Sequence, residues 1–129
     1  MKTSIEYFHT KLEFEIDPSD LKDALDANEQ IVVIDARKEN SFEAEHIPGS
    51  VNLPHRKMNI STTSHLRKDV LYVVYCDGVG CNASTKGALQ MAKLGFRTKE
   101  LFGGLQAWKH DGFSTETSSG LNLTTGCAC

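Results

Sequence analysis

Apolar residues along the chain fall into two patterns, unbroken runs and helical spacings, and the two take turns. Ile31-Val32-Val33-Ile34 and Val70-Leu71-Tyr72-Val73-Val74-Tyr75 are unbroken and largely β-branched or aromatic, as in strands covered on both faces. Both are predicted to be central parallel strands. Leu12, Phe14 and Ile16 alternate with Glu13 and Glu15, which predicts a half-buried edge strand, whereas residues 1–11 show no clear period. Ser50-Val51-Asn52-Leu53 reads as a short strand and Lys99-Glu100-Leu101-Phe102 as the last one.

Helical signals fill the gaps. Asp17-Pro18 offers a cap and a first-turn proline, and Leu21, Ala24 and Leu25 follow at helical spacing, predicting a helix over 18–27. Residues 38–45 and 57–67 supply short helical turns, with Pro48-Gly49 as a turn between those pieces. A helix over 83–94 is expected to turn Ala88, Leu89, Met91 and Ala92 to the sheet, and Gly95 is placed to end it in a left-handed conformation. Phe96 then packs back, Gly103-Gly104 turns the chain, and residues 105–111 form a helix with Trp108 inward. Phe96, Phe102 and Trp108 are all expected in the core. Five strands alternating with helices predict an α/β domain, a parallel sheet with helices on both faces. The domain is expected to span residues 1–113. Residues 114–129, rich in Ser, Thr and Gly with only Leu121 and Leu123 as sizeable apolar residues, are expected to form a flexible tail.

Composition sets limits on what such a domain does. At 129 residues and 40% hydrophobic content the chain can bury a core without disulfides or a structural metal. The net charge of −3 gives no basic surplus for nucleic acid or anionic lipid, so neither is an expected partner. The first 16 residues carry polar side chains too often for a signal peptide or membrane span, and the expected location is the cytoplasm. There the four cysteines, Cys76, Cys81, Cys127 and Cys129, are expected to be thiols. Their spacing is poor for zinc, and the five histidines show no ligand spacing. Neither a metal nor a cofactor is expected.

The stretch from Val73 to Ser84 runs from a buried strand through a loop with two glycines into a helix, and Cys76 stands where the strand stops. Strand carboxyl ends form the ligand crevice of open α/β sheets. Gly78 and Gly80 allow successive N–H groups to turn inward as a nest, and the following helix adds its positive end. A thiolate or a persulfide sulfur on Cys76 would be stabilised there. A buried small hydrophobe is the plainer reading of Cys76 taken alone.

The chain resembles the rhodanese, or thiosulfate sulfurtransferase, homology domain over most of its length. Ile34-Asp35-Ala36-Arg37 and the run from Phe42 through His46-Ile47-Pro48-Gly49 to Pro54 resemble the family's first signature. Tyr75-Cys76, together with Leu101-Phe102-Gly103-Gly104-Leu105-Gln106-Ala107-Trp108, resemble the second. The resemblance implies a doubly wound, five-stranded sheet and a two-step reaction in which Cys76 takes a sulfane sulfur from a donor and passes it on. It also implies neither metal nor organic cofactor. It makes Arg37 a scaffold residue held by Asp35.

Two departures matter. No basic residue occurs from Cys76 to Ser84, and Asp77 follows the cysteine; a carboxylate close to a thiolate raises its pKa, so Asp77 is expected to face outward. The loop is also long, yet Asn82 stands where a phosphatase loop would end in arginine, which argues against phosphoryl transfer. Cys81 reads either as a resolving thiol or as a small residue at the helix start. His46 reads as a structural turn residue.

The function expected is sulfurtransfer from thiosulfate or a persulfide to a thiol, to a cyanide-like acceptor or to a protein. Cys76 is the carrier, loop positions Asp77, Gly78, Val79, Gly80, Cys81 and Asn82 form the cradle, and Arg56 docks the anionic donor. A persulfide carrier or regulatory binding module without turnover, and a Cys76/Cys81 dithiol redox protein, are the alternatives.

Overall fold

A computed structural model describes residues 3–123. Helix α1 (Ser4–Phe14) leads into a two-residue strand β1 (Glu15–Ile16), followed by α2 (Pro18–Asp26), β2 (Ile31–Asp35), α3 (Glu39–Ala44) and β3 (Val51–Asn52). A 3-10 turn at His55–Lys57 and α4 (Ile60–Thr63) precede β4 (Leu71–Tyr75), α5 (Ala83–Lys93), β5 (Arg97–Leu101) and α6 (Gly104–His110). A hairpin of β6 (Thr115–Glu116) and β7 (Asn122–Leu123) follows. The main sheet has the order β1-β5-β4-β2-β3, with every pair parallel.

Side-chain alternation along the strands divides the core into two layers. Val33, Val73, Tyr75 and Leu101 pack with Leu21 of α2 and Leu105 and Trp108 of α6 on one face. Ile34, Tyr72 and Val74 pack with Met91 of α5, Met58 and Phe96 on the other. The α/β, doubly wound, five-stranded architecture is thus the one the sequence predicts. Both edge strands are two residues long, which leaves little unpaired backbone for another chain to join.

Several local expectations are corrected. Residues 12–14 belong to α1 rather than to a strand: Thr3 caps the helix through Glu6 N–H at 3.1 Å, and Leu12 and Phe14 are exposed. Asp17 makes no side-chain cap, so proline at the first turn of α2 carries that start alone. On α5 the inward face is Ser84, Gly87 and Met91 with Ala88 beside it, and Leu89 and Ala92 point to solvent. Phe102 is also exposed, because it follows Leu101 on the opposite side of the chain.

Within the segment expected as a tail, residues 114–123 make a hairpin against the domain. Thr115 is fully buried and donates to Glu45 Oε2 at 2.6 Å, His46 Nε2 lies 3.2 Å from Glu116 Oε2, and the Trp108 indole N–H donates to the Ser114 carbonyl at 2.9 Å. A docked hairpin stands where the composition led to a flexible tail. Cys127 and Cys129 lie outside the described residues. No described helix is long and apolar enough to cross a membrane.

Candidate active site

β4 delivers Cys76 to the carboxyl edge of the sheet, where its side chain is only 1% exposed. Residues 77–82 wrap it and lead into α5. The Sγ–H donates to the Cys81 carbonyl at 3.2 Å, while the backbone of Gly78 and both the backbone and the side chain of Ser84 act to favour the thiolate. Gly78 belongs to the expected cradle, and Ser84 lies just beyond it.

α6 holds this loop from outside. The N–H of Leu105 donates to the Cys76 carbonyl at 2.9 Å and that of Gln106 to the Asp77 carbonyl at 2.8 Å. With two successive carbonyls anchored outward, the intervening amides are free to face the sulfur. Gly104 (φ +60°) permits the approach: a Cβ there would stand 2.5 Å from the Cys76 carbonyl oxygen and 2.9 Å from the Gly78 nitrogen. Gly78 does not adopt positive φ, and a Cβ there would meet only the side chain of exposed Gln106, which can swing aside. Gly80 alone of the two loop glycines adopts positive φ, at +93°.

Asp77 turns its carboxylate outward, as expected, and its Oδ1 accepts from Arg37 Nη1 at 3.0 Å. Arg37 is otherwise occupied by Asp35, at 2.7 Å from Nη2 to Oδ2, and by the carbonyls of Ser41 and Glu45. Burial works against the guanidinium charge, but Asp35 and then Asp77 override it and hold its pKa above the ordinary arginine value. Asp35 is itself buried and accepts from the Tyr75 hydroxyl at 2.8 Å. Arg37 is thus a strut joining β2, α3 and the loop. The remaining loop residues are peripheral: Val79 is exposed at the tip, and Asn82 caps α5 through its carbonyl, which accepts from Lys86 N–H at 2.9 Å.

Arg56 lies on the 3-10 turn, exposed, at the rim of a cleft of about 360 Å³. Lys38, His55, Lys57, Asp77 and Cys81 also border that cleft. The structure thereby brings Arg56 to the same edge as the loop, where Asp77 and Cys81 border the same cleft.

Ser84 and Glu100 escaped the sequence reading as site residues. The Ser84 hydroxyl donates to Glu100 Oε2 at 2.6 Å, and Thr85 donates to the same oxygen at 2.7 Å. A hydroxyl has one proton, so Ser84 can serve a thiolate on Cys76 only by turning away from Glu100, which then keeps Thr85. The signal in the sequence was a carboxylate near the end of the strand beside β4.

Burial raises the Cys76 thiol above its ordinary pKa, and the neighbouring Cys81 side chain raises it further; Ser84 and the Gly78 backbone oppose both without reversing them. Burial thus favours the thiol over the thiolate in the free protein. If Cys76 is the nucleophile, its sulfur-loading rate should climb about tenfold per pH unit from neutrality and level off only above about pH 8.5, the ordinary thiol value. Loading rates measured from pH 6 upward check this, and a plateau at neutral pH would contradict it.

The model of the rhodanese-like domain matches residues 17–111. The chain therefore belongs to the rhodanese-like domain family, a family of sulfurtransferases. Among solved structures it is similar to the BH2092 protein from Bacillus halodurans, at 33% identity and a TM-score of 0.86, covering 98% of this chain and 90% of that one. A protein from Lactobacillus plantarum is 28% identical with a TM-score of 0.73, over 88% of this chain and 95% of that one. Thiosulfate sulfurtransferase from Pseudomonas aeruginosa shares the fold, with a TM-score of 0.70 at 20% identity, over 84% of this chain and 21% of that one. No curated protein matches the sequence.

Proposed function

We propose that this protein is a sulfurtransferase that carries a sulfane sulfur as a persulfide on Cys76. The observation that carries the reading is the cradle around the sulfur: a cysteine at a strand end, enclosed by N–H donors whose loop is pinned through the outward carbonyls of Cys76 and Asp77. Such donors stabilise negative charge on a terminal sulfur at a site closed to water. Loading and release together test it. Reduced protein incubated with thiosulfate, and separately with a polysulfide, should gain one sulfur atom on Cys76 that cyanide then removes. No gain from either donor would refute the proposal.

A carrier or regulatory module without turnover is the second reading. It is favoured by the raised thiol pKa and by an acidic residue next to the cysteine. Sulfur that loads but resists cyanide would decide for it.

Asp77 should disfavour thiosulfate, a dianion that must bring its charge to the loop. Asp77→Arg is expected to raise the thiosulfate loading rate about tenfold, since it replaces a repelling charge with an attracting one at a partly exposed site. A rate equal to or below that of the unaltered protein would place Asp77 outside the donor's path.

A further inference from the structure

Helix α1 precedes the stretch matched to the rhodanese-like domain, residues 17–111, and none of its eleven residues is buried. It is nevertheless rich in large apolar side chains. Ile5, Phe8 and Leu12 run along one edge of the helix, and Tyr7 and Phe14 along another. A groove of about 510 Å³ lies between the first edge, β1, the end of β5 and the start of α2, bordered by Phe8, Leu12, Ile16 and Phe102 and by Lys99 and Asp20. Neither Lys99 nor Asp20 forms an ion pair among the described residues.

The extent of this patch points to what covers it. Ile5, Phe8, Leu12 and Phe102 are 71%, 58%, 74% and 49% exposed, which at about 200 Å² for a large apolar residue leaves about 500 Å² of apolar surface in water. A homodimer interface is about 65% apolar, so the patch is the apolar share of an interface of about 800 Å² per partner, the size of a stable one. A two-fold interface also needs a single surface that complements itself. Here the projecting edge of α1 stands beside the groove that would receive the same edge of a second copy. Lys99 and Asp20 put both signs of charge at that groove, so each copy can answer the other across the axis. Because β1 is only two residues long, the second copy joins through side chains rather than by adding a strand.

We propose that the protein forms a two-fold symmetric dimer in which the edge of α1 carrying Ile5, Phe8 and Leu12 lies in the partner's groove, against Ile16 and Phe102. Glu15 and Phe102 border both this groove and the smaller hollow beside Gly78 and Cys81, so the second copy lies next to the cysteine loop.

Sedimentation equilibrium of the full chain, under reducing conditions that exclude disulfide-linked pairs, should give twice the chain mass of 14.2 kDa. A protein concentration of about 100 μM is well above the dissociation constants of interfaces of this size. Phe8→Glu/Leu12→Glu should sediment as a monomer, its dissociation constant raised about 100-fold or more by carboxylates buried across the axis. Phe102→Glu, outside α1, should do the same, so loss of the helix cannot account for both results, and far-UV circular dichroism verifies the fold of each variant. Ile60→Glu, at a residue 79% exposed on α4, should remain a dimer. A parent protein that is monomeric at the same concentration overturns the proposal, and a monomer that floats with vesicles of phosphatidylcholine and phosphatidylglycerol gives the face to a membrane instead. A dimer that persists in either of the first two variants, or that is lost in Ile60→Glu, places the contact elsewhere and overturns it too.

Discussion

Cys76→Ser protein is expected to fold as the parent does and to take up no sulfur from any donor. Serine is nearly isosteric, and its hydroxyl inherits the Cys81 carbonyl as acceptor, so no buried polar group is left unpaired and the stability change should stay within about 1 kcal/mol. The chemistry has no such substitute. An alcohol in this cradle neither ionises near neutrality nor forms a bond to sulfane sulfur that a thiol acceptor can reopen, so loading should drop by about 10³-fold or more. Intact mass with peptide mapping reads the result directly, and an unfolding curve verifies the fold. Sulfur appearing on Cys81, Cys127 or Cys129 of the variant would transfer the carrier role to that residue. Retention of full loading there would remove Cys76 from the mechanism.

The second large effect is expected at a residue that touches no substrate. Gly104→Ala should destabilise the protein by about 2–4 kcal/mol, adding a left-handed backbone penalty to a collision with main chain rather than with a yielding side chain. The new Cβ would stand 2.5 Å from the Cys76 carbonyl oxygen and 2.9 Å from the Gly78 nitrogen, so relief must come from the loop or from the start of α6. Either movement loosens the bonds from Leu105 and Gln106 that hold the loop carbonyls outward. Sulfur loading should therefore fall more than tenfold at a temperature where the variant is still folded, a rough scale for misplacing a positioned donor. A denaturation midpoint close to that of the parent, with parental loading, would contradict the assigned role of this contact. Gly112, whose Cβ would meet nothing within 4 Å, provides the comparison: it too has positive φ, but alanine there carries only the backbone penalty.

The strands and the helices between them were legible because burial on both faces leaves apolar runs, and those runs cannot be mistaken for loops. α1 was not legible, since a helix that buries none of its residues imposes no period on its apolar positions. Leu12, Phe14 and Ile16 then suggested alternation by chance, and the capping pair Thr3 and Glu6 was the better clue. Leu89 and Ala92 show the opposite error, as apolar residues on a real helix were assigned to its inner face although the close approach to the sheet is made at Gly87. At the site, Cys76 and its glycines could be read from local order along the chain. The bridge from Arg37 to Asp77 spans 40 residues, and the hydrogen bond from Ser84 to Glu100 spans 16; such pairings exist only once the sheet order sets their strands side by side. The hairpin at residues 115–123 was hidden because its anchors are hydrogen bonds to Glu45 and His46 rather than apolar side chains.

The closed setting of Cys76 also bears on the order of events in the proposed turnover. If Cys76 carries the sulfur, its burial against β4, under residues 77–82 and beside α6 leaves little room for donor and acceptor together. The donor's remnant would then have to leave before the acceptor approaches. Steady-state kinetics of a protein working this way take the ping-pong form, with parallel double-reciprocal lines. An acceptor in excess then slows the reaction by crowding the uncharged enzyme, the form that awaits sulfur.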